Sequence, residues 1–264
     1  MDTARYLRRI GVDPGAVAVD CATLQRLQRA HVEAVPFENL AIVGDPFRAG
    51  RGEGVTLDPD ALYEKIVTRE RGGYCFELNG LCAGLLRAVG FVADRVAACV
   101  LDDDGSVGTP ANHHANIVDL DRRYLVDVGL ATPPLRRPLP LDGSVRTDRA
   151  DIDWRVVDSD RPDADHLVQF RHPGEAWTDR YVLQEQPREL SYFRASCDYL
   201  STAPESPFTG DPVVTVGTED GYKRLDRGTL TVYRDGAETE RTVTDEEWHD
   251  VLAAEFGLRV EGTE

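Results

Sequence analysis

Arg71-Gly72-Gly73-Tyr74-Cys75-Phe76-Glu77-Leu78-Asn79 sets a single cysteine behind two glycines and at the head of an apolar repeat. Leu78, Leu81, Cys82, Leu85 and Val89 follow at helical spacing and Gly90 supplies a stop, so the pattern predicts a helix that begins near Cys75. A helix N-terminus favours a thiolate through its free N–H groups and macrodipole. The two glycines remove side-chain bulk and leave amides free for a substrate carbonyl. The same stretch also fits a small buried thiol that only fills the core.

Upstream the chain reads as helical. Asp20 caps a helix with Leu24, Leu27 and His31 on one side that ends before Pro36, and Asp58-Pro59 opens another carrying Leu62 and Ile66. From Phe91 to about Asp198 the texture is β: Val96 to Leu101, Asn116 to Leu120, Tyr124 to Val128 and a short strand at Tyr181 to Leu183. Asp121-Arg122-Arg123 turns the second of these into the third as a hairpin, and Pro133 to Pro140 and Asp158 to Asp165 read as loops. After Pro204 come strands at Val213 to Val216 and Leu230 to Tyr233, a turn at Asp235-Gly236, and a last helix. That helix has a capping box at Thr244 and Glu247, an apolar face of Trp248, Leu252 and Phe256, and Gly257 as its stop. Helices, strands, then a mixed segment make the class α+β.

At 264 residues the chain can hold two or three modules and a sizeable core. No apolar run approaches the roughly 20 residues of a bilayer-spanning helix. The opening residues lack the apolar core of a secretory signal, so a cytoplasmic location without a membrane partner is expected. Acidic side chains number 47 against 30 basic ones, a formal charge of -17, and only Lys65 and Lys223 are lysine. Such a field repels a phosphate backbone, so no nucleic-acid partner is expected. The composition fits a halophilic cytosol, where screening over about 3 Å at 1 M salt removes most self-repulsion. Five scattered cysteines, Cys21, Cys75, Cys82, Cys99 and Cys197, show neither a C-x-x-C nor a zinc spacing, so no metal and no disulfide are expected.

A thiol nucleophile needs a base, and the base needs an orienting carboxylate. Asn112-His113-His114-Ala115-Asn116, followed by Tyr124-Leu125-Val126-Asp127-Val128-Gly129, can carry both on one hairpin. Consecutive strand residues point to opposite faces, so only one of the two histidines can reach the thiol. From the hairpin alone, Asp127 as a turn cap and the histidines as loop residues stay open.

Together these stretches resemble the arylamine N-acetyltransferase family, whose pattern joins Arg-Gly-Gly-x-Cys-Phe-Glu-x-Asn, a His opening a strand, and an Asp in a Val-Asp-Val-Gly type of segment. The similarity extends to Tyr6 through Gly11, to Ala30 through Leu40 with its Pro36-Phe37-Glu38-Asn39-Leu40, and more loosely to Ser201 through Phe208 and Thr218 through Leu225. The resemblance implies three parts: a helical bundle over 1–90 carrying the nucleophile, a β-barrel domain over 91–198 carrying His and Asp, and an α/β lid over 199–264. The architecture is similar to that of cysteine proteases. It also implies catalytic Cys75, His113 and Asp127, with Phe37 against the acceptor and Gly129 and Phe208 against acetyl-coenzyme A, a co-substrate rather than a bound cofactor. His113 is preferred because the family His precedes several mostly apolar positions, which leaves His114 structural or exposed.

Two departures from the family pattern stand out: Val128-Gly129-Leu130-Ala131 replaces a common Val-Gly-Phe-Gly, and Asp121-Arg122-Arg123 lacks a common Gly. Since coenzyme A carries phosphates, Arg136-Arg137 is a candidate contact. Arg71 and Glu77 are expected as an ion pair, Glu38 and Asn39 as structural hydrogen-bonders, and Trp154, Trp177 and Trp248 as packing residues. The implied reaction is acetyl transfer to an arylamine, arylhydrazine or N-hydroxyarylamine. The alternatives are an amide synthase of the same family, a papain- or transglutaminase-like cysteine hydrolase, and a binding protein without turnover.

Overall fold

Aspartates and prolines start the N-terminal helices where their spacing predicts. A computed structural model describes residues 1–102 and 104–260, so the last four positions of the 199–264 part lie outside the described residues. After α1 (Thr3–Arg9), α2 (Cys21–Ala34) begins where Asp20 Oδ1 accepts the Thr23 N–H at 2.7 Å, and it buries Leu24, Leu27 and His31. A two-residue strand β1 (Phe37–Glu38) and a short α3 (Leu40–Val43) follow. Helix α4 (Pro59–Tyr63) runs into a π-helical turn, Glu64–Thr68, that buries Ile66.

Helix α5 (Cys75–Ala88) starts at the cysteine itself, because the Glu77 carboxylate reaches back to the Tyr74 N–H at 3.1 Å. Leu78, Leu81 and Leu85 are buried against Tyr6, Leu24 and Ile66 in the core of the bundle.

Eight strands then form one antiparallel sheet: β2 (Val92–Val100), β3 (His113–Asp119), β4 (Arg123–Val126), β5 (Leu139–Pro140), β6 (Arg146–Thr147), β7 (Asp153–Asp158), β8 (His166–Arg171) and β9 (Thr178–Pro187). Their order is β5-β4-β3-β2-β9-β8-β7-β6, and β5 packs against β7, so the sheet curls into a nearly closed barrel. Val96, Ala115, Leu125, Trp154, Val168 and Tyr181 fill it. The expected β3–β4 hairpin is present, with Asn116 opposite Val126 and Asp119 opposite Arg123. Strands β7 and β8 were not expected, and β9 is far longer than Tyr181 to Leu183. Their charged residues face outward in alternation with buried Trp154, Val156 and Val168, which dilutes the local apolar signal.

Helix α6 (Arg194–Thr202) straddles position 198, where the sequence places a boundary between barrel and lid. A second sheet, ordered β1-β10-β11-β12-β13, adds β10 (Val214–Gly217), β11 (Gly221–Leu225), β12 (Thr229–Arg234) and β13 (Ala237–Thr242). Its first strand comes from the N-terminal part: Phe37 pairs with Thr215 and also bridges Gly73. The second sheet is therefore tied directly to the turn that presents Cys75. Helix α7 (Trp248–Phe256) follows the Thr244 and Glu247 capping box and stops at Gly257, whose φ is +66°. Among the described residues no helix is long and apolar enough to cross a membrane.

Candidate active site

Cys75, His113, Phe37, Gly129 and Phe208, all singled out from the sequence, line one cavity of about 490 Å³. Its walls come from the head of α5, the start of β3, the chain after β4, and the loop after α6. Cys75 is only 4% exposed. Burial pushes its thiol well above the ordinary cysteine value, neighbouring Cys197 and Asp127 push the same way, and the Phe76 N–H pulls it down. The helix N-terminus thus helps the thiolate as expected, but desolvation outweighs it, and the thiol needs a proton acceptor.

His113 lines the same cavity. His113 Nε2 lies 2.7 Å from Asp127 Oδ2, and both side chains are essentially fully buried. Burial alone would raise the Asp127 pKa, but His113, Asn79 and the Gly129 N–H together hold it below the usual carboxylate value. An ionised carboxylate only accepts, so Nε2 carries the proton and Nδ1 is the ring nitrogen able to accept one. The Tyr181 ring closes over His113 with centroids 5.2 Å apart. His114 points away, as expected, and is buried rather than exposed: its ring stacks on Phe193 at 4.5 Å, and burial drops its pKa to about 3.

Asn79 was quoted in the motif without a role, and it is the hub of the site. It donates to Asp127 Oδ1 at 2.8 Å and to the His114 carbonyl at 2.7 Å, and accepts the Val128 N–H at 2.9 Å. One residue thereby fixes α5, β3 and the chain after β4 to one another. Its position four residues after Cys75, hence on the same helix face, was the available signal. Gln28 adds donors to the Asp127 and Leu135 carbonyls from α2.

Beneath the turn the expected Arg71–Glu77 pair is replaced by a buried four-charge network. Arg71 binds Glu38 at 3.0 Å, and Lys65 binds Glu77 at 2.8 Å while lying 3.8 Å from Glu38. Arg71 precedes α5 and Glu77 lies in its first turn, and each meets a partner from another segment. Burial disfavours the Lys65 charge, but Glu77 and Glu38 outweigh it and raise its pKa. Glu38 also accepts the Leu40 N–H at 2.6 Å, the structural role expected of it. Gly72 and Gly73 make room for the chain itself rather than for substrate. A Cβ at Gly72 would sit 2.3 Å from the Pro36 carbonyl oxygen, and one at Gly73 3.0 Å from Glu77.

Asn39 donates to the Phe208 and Asp211 carbonyls at 3.1 and 2.9 Å and so holds the loop that carries Phe208. Phe208 packs on Phe37 and Tyr74, with centroids 6.3 and 5.5 Å away. Gly129 touches the turn that presents Cys75: a Cβ there would meet Asn79 Nδ2 at 2.6 Å and Cys75 Cα at 2.8 Å. Arg136 is not available to a phosphate. It is buried, binds Asp148 at 2.8 Å, and donates to the Thr218 and Gly221 carbonyls, while Arg137 donates to Thr147 O at 2.7 Å. Trp154 and Trp248 are core residues, whereas Trp177 is half-buried at the surface between the guanidinium groups of Arg155 and Arg171.

A family model described as N-acetyltransferase matches residues 20–264. The chain is 34% identical over 270 residues to an arylamine N-acetyltransferase of Mycolicibacterium smegmatis, covering 98% of this chain and 92% of that one. A solved M. smegmatis arylamine N-acetyltransferase superposes with a TM-score of 0.87 at 32% identity, over 100% of this chain and 96% of the other. An arylamine N-acetyltransferase from Bacillus cereus, described as having a unique Cys-His-Glu catalytic triad, matches with a TM-score of 0.86 at 26% identity, over 98% and 99% of the two chains. In the present chain the carboxylate that meets the histidine is an aspartate, Asp127. The extent of these matches shows that the chain belongs to the arylamine N-acetyltransferase family.

Proposed function

We propose that this protein transfers an acetyl group from acetyl-coenzyme A to arylamine, arylhydrazine or N-hydroxyarylamine acceptors by double displacement, with Cys75, His113 and Asp127 as its catalytic residues. The observation that carries the reading is the 2.7 Å His113–Asp127 contact at the wall of the cavity that Cys75 also lines. His113 Nδ1 takes the Cys75 proton as Sγ attacks the thioester carbonyl. The tetrahedral intermediate collapses, coenzyme A leaves as its thiolate and takes that proton from His113. Acetyl-Cys75 remains. The acceptor nitrogen then attacks the acetyl carbonyl, His113 receives the amine proton, and the Cys75 thiolate that departs recovers it. Asp127 stabilises the imidazolium in both halves and fixes its ring. Backbone N–H groups at the head of α5 stabilise each oxyanion in this reading.

Three further elements belong to this reading. Gly129 and Phe208 border the path of the co-substrate and Phe37 that of the acceptor. The division into a bundle over 1–90, a barrel over 91–198 and a lid over 199–264 describes the working parts. The acidic surface sets the protein in a salt-rich cytoplasm. The test is intact mass after incubation with acetyl-coenzyme A in high salt without an amine, beside Cys75→Ala. An acetyl adduct that needs Cys75 and disappears only when an arylamine is added is the expected result. An adduct lost equally fast to water would identify a hydrolase instead.

A further inference from the structure

Arg180, from β9, lines the same cavity as Cys75 and His113, and the double displacement gives it no task. Its side chain is partly buried, and its Nε is enclosed without a hydrogen-bond partner. Among the described residues no carboxylate forms an ion pair with its guanidinium. The other charged groups lining the cavity are engaged. Asp102 accepts from the Ser106 hydroxyl at 3.3 Å, Glu205 from the Tyr199 hydroxyl at 2.8 Å, and Arg224 binds Asp226 at 2.9 Å. Burial lowers the Arg180 pKa from the ordinary arginine value, and the nearby Asp127 carboxylate offsets only part of this. A guanidinium held in this way gains most from a planar anion that it can bind through two N–H groups.

We propose that Arg180 is a specificity-determining residue: it makes the cavity an anion subsite that selects acceptors whose aromatic ring carries a carboxylate. This rests on the transferase reading above. A coenzyme diphosphate brings several charges and suits a surface with many donors or a helix N-terminus. Arg180 instead offers one guanidinium beside apolar walls that include Val100, Leu130 and Phe208, which matches a single carboxylate on an apolar ring.

The experiment compares 4-aminobenzoate with 4-aminobenzamide in the wild type, Arg180→Met and Arg180→Lys. Comparing the change on substitution cancels the intrinsic reactivities of the two amines. Arg180→Met is expected to lower kcat/KM for 4-aminobenzoate about 30-fold and that for the amide less than about threefold, with Arg180→Lys in between. Equal losses for both amines would make Arg180 structural and overturn the proposal. Slowed acetylation of Cys75 by acetyl-coenzyme A would assign the guanidinium to the coenzyme phosphates. Acylation by malonyl-coenzyme A that is faster than by acetyl-coenzyme A, and loses that advantage in Arg180→Met, would move the anion onto the donor; either result overturns the acceptor subsite. Protection of Cys75 from iodoacetamide by benzoate, with benzamide as control, reads the subsite without turnover. Protection that Arg180→Met abolishes supports the subsite even if no amine is acetylated, an outcome that would sink only the transferase reading. No benzoate protection in the wild type sinks the subsite and leaves acetyl transfer standing.

Discussion

Asp127 is buried yet ionised because His113, Asn79 and the Gly129 N–H compensate the cost of its burial. Asp127→Asn keeps the volume and removes the charge that holds the His113 proton on Nε2. Single-turnover acetylation of Cys75 should slow on the order of a thousandfold with the fold intact, since a mis-set tautomer disables the base. A loss under tenfold, read by stopped-flow with acetyl-coenzyme A, would show that the carboxylate only packs. The two adjacent histidines give a second test. His113→Gln should abolish acetylation. His114→Gln removes a ring stacked on Phe193 and should cost about 1–2 kcal/mol in urea unfolding while acetylation survives. The reverse pattern would exchange their roles. At this scale strand alternation allows only one of the pair to face the thiol and the family resemblance names which, whereas the spacing of Asn79 from Cys75 gives its helix face but not its role as hub, because an Asn on a helix has many uses until its three partners are seen.

Whole elements were legible where one face is apolar and the ends are capped, as in α2, α5 and α7. The β3–β4 hairpin was legible too, because the polar turn Asp121-Arg122-Arg123 separates two short runs with apolar residues, Ile117-Val118 and Tyr124-Leu125-Val126. Strands β7 and β8 were not, since a curled sheet that is wet outside alternates charge with core residues. Helix α6 escaped notice because only Cys197 and Leu200 are buried along it. Where elements meet, Gly129 lets the chain after β4 lie against the first turn of α5. Gly129→Ala should therefore push that turn aside, costing about 1–3 kcal/mol and most of the acetylation rate. Wild-type kinetics and melting in that variant would refute the close approach. On the barrel, Glu185 of β9 joins Arg123 of β4 at 2.7 Å and His166 of β8 at 2.7 Å. Arg123, then His166, hold its pKa down to about 2. Because the folded value lies below the unfolded one, the bonus is complete above the unfolded pKa of roughly 4.3. It is lost as pH falls through the folded value. After discounting for solvent, the stability gap between wild type and Glu185→Gln should shrink by about 1 kcal/mol between pH 5 and pH 2.5. A gap that does not change with pH would remove the ion pairs as its cause.

Across the whole molecule, the cavity that Cys75 lines is tied by β1 to the second sheet, while the chain carries a formal charge of -17. All six residues of β13, the outer strand of the second sheet, are exposed, and Glu238 and Glu240 charge that edge beside Arg241. Charge on an open edge discourages strand addition by other chains, but here its sign adds to the global repulsion. Salt therefore acts in two opposed ways. It weakens surface pairs such as Arg122 with Asp142, each worth little. It also screens the net repulsion, over about 10 Å at 0.1 M and about 3 Å at 1 M. With so large an excess of one sign the second effect should win. Raising KCl from about 0.1 to about 2 M should lift Tm by about 10 °C, which for a chain of this size corresponds to roughly 5 kcal/mol. Excluded cosolutes stabilise folded proteins without screening, so sucrose is the control. It should raise Tm far less than KCl if charge is the cause. A Tm that is flat or falls with KCl would mean that the local pairs already balance the repulsion, and the salt-rich cytoplasm would lose its physical basis.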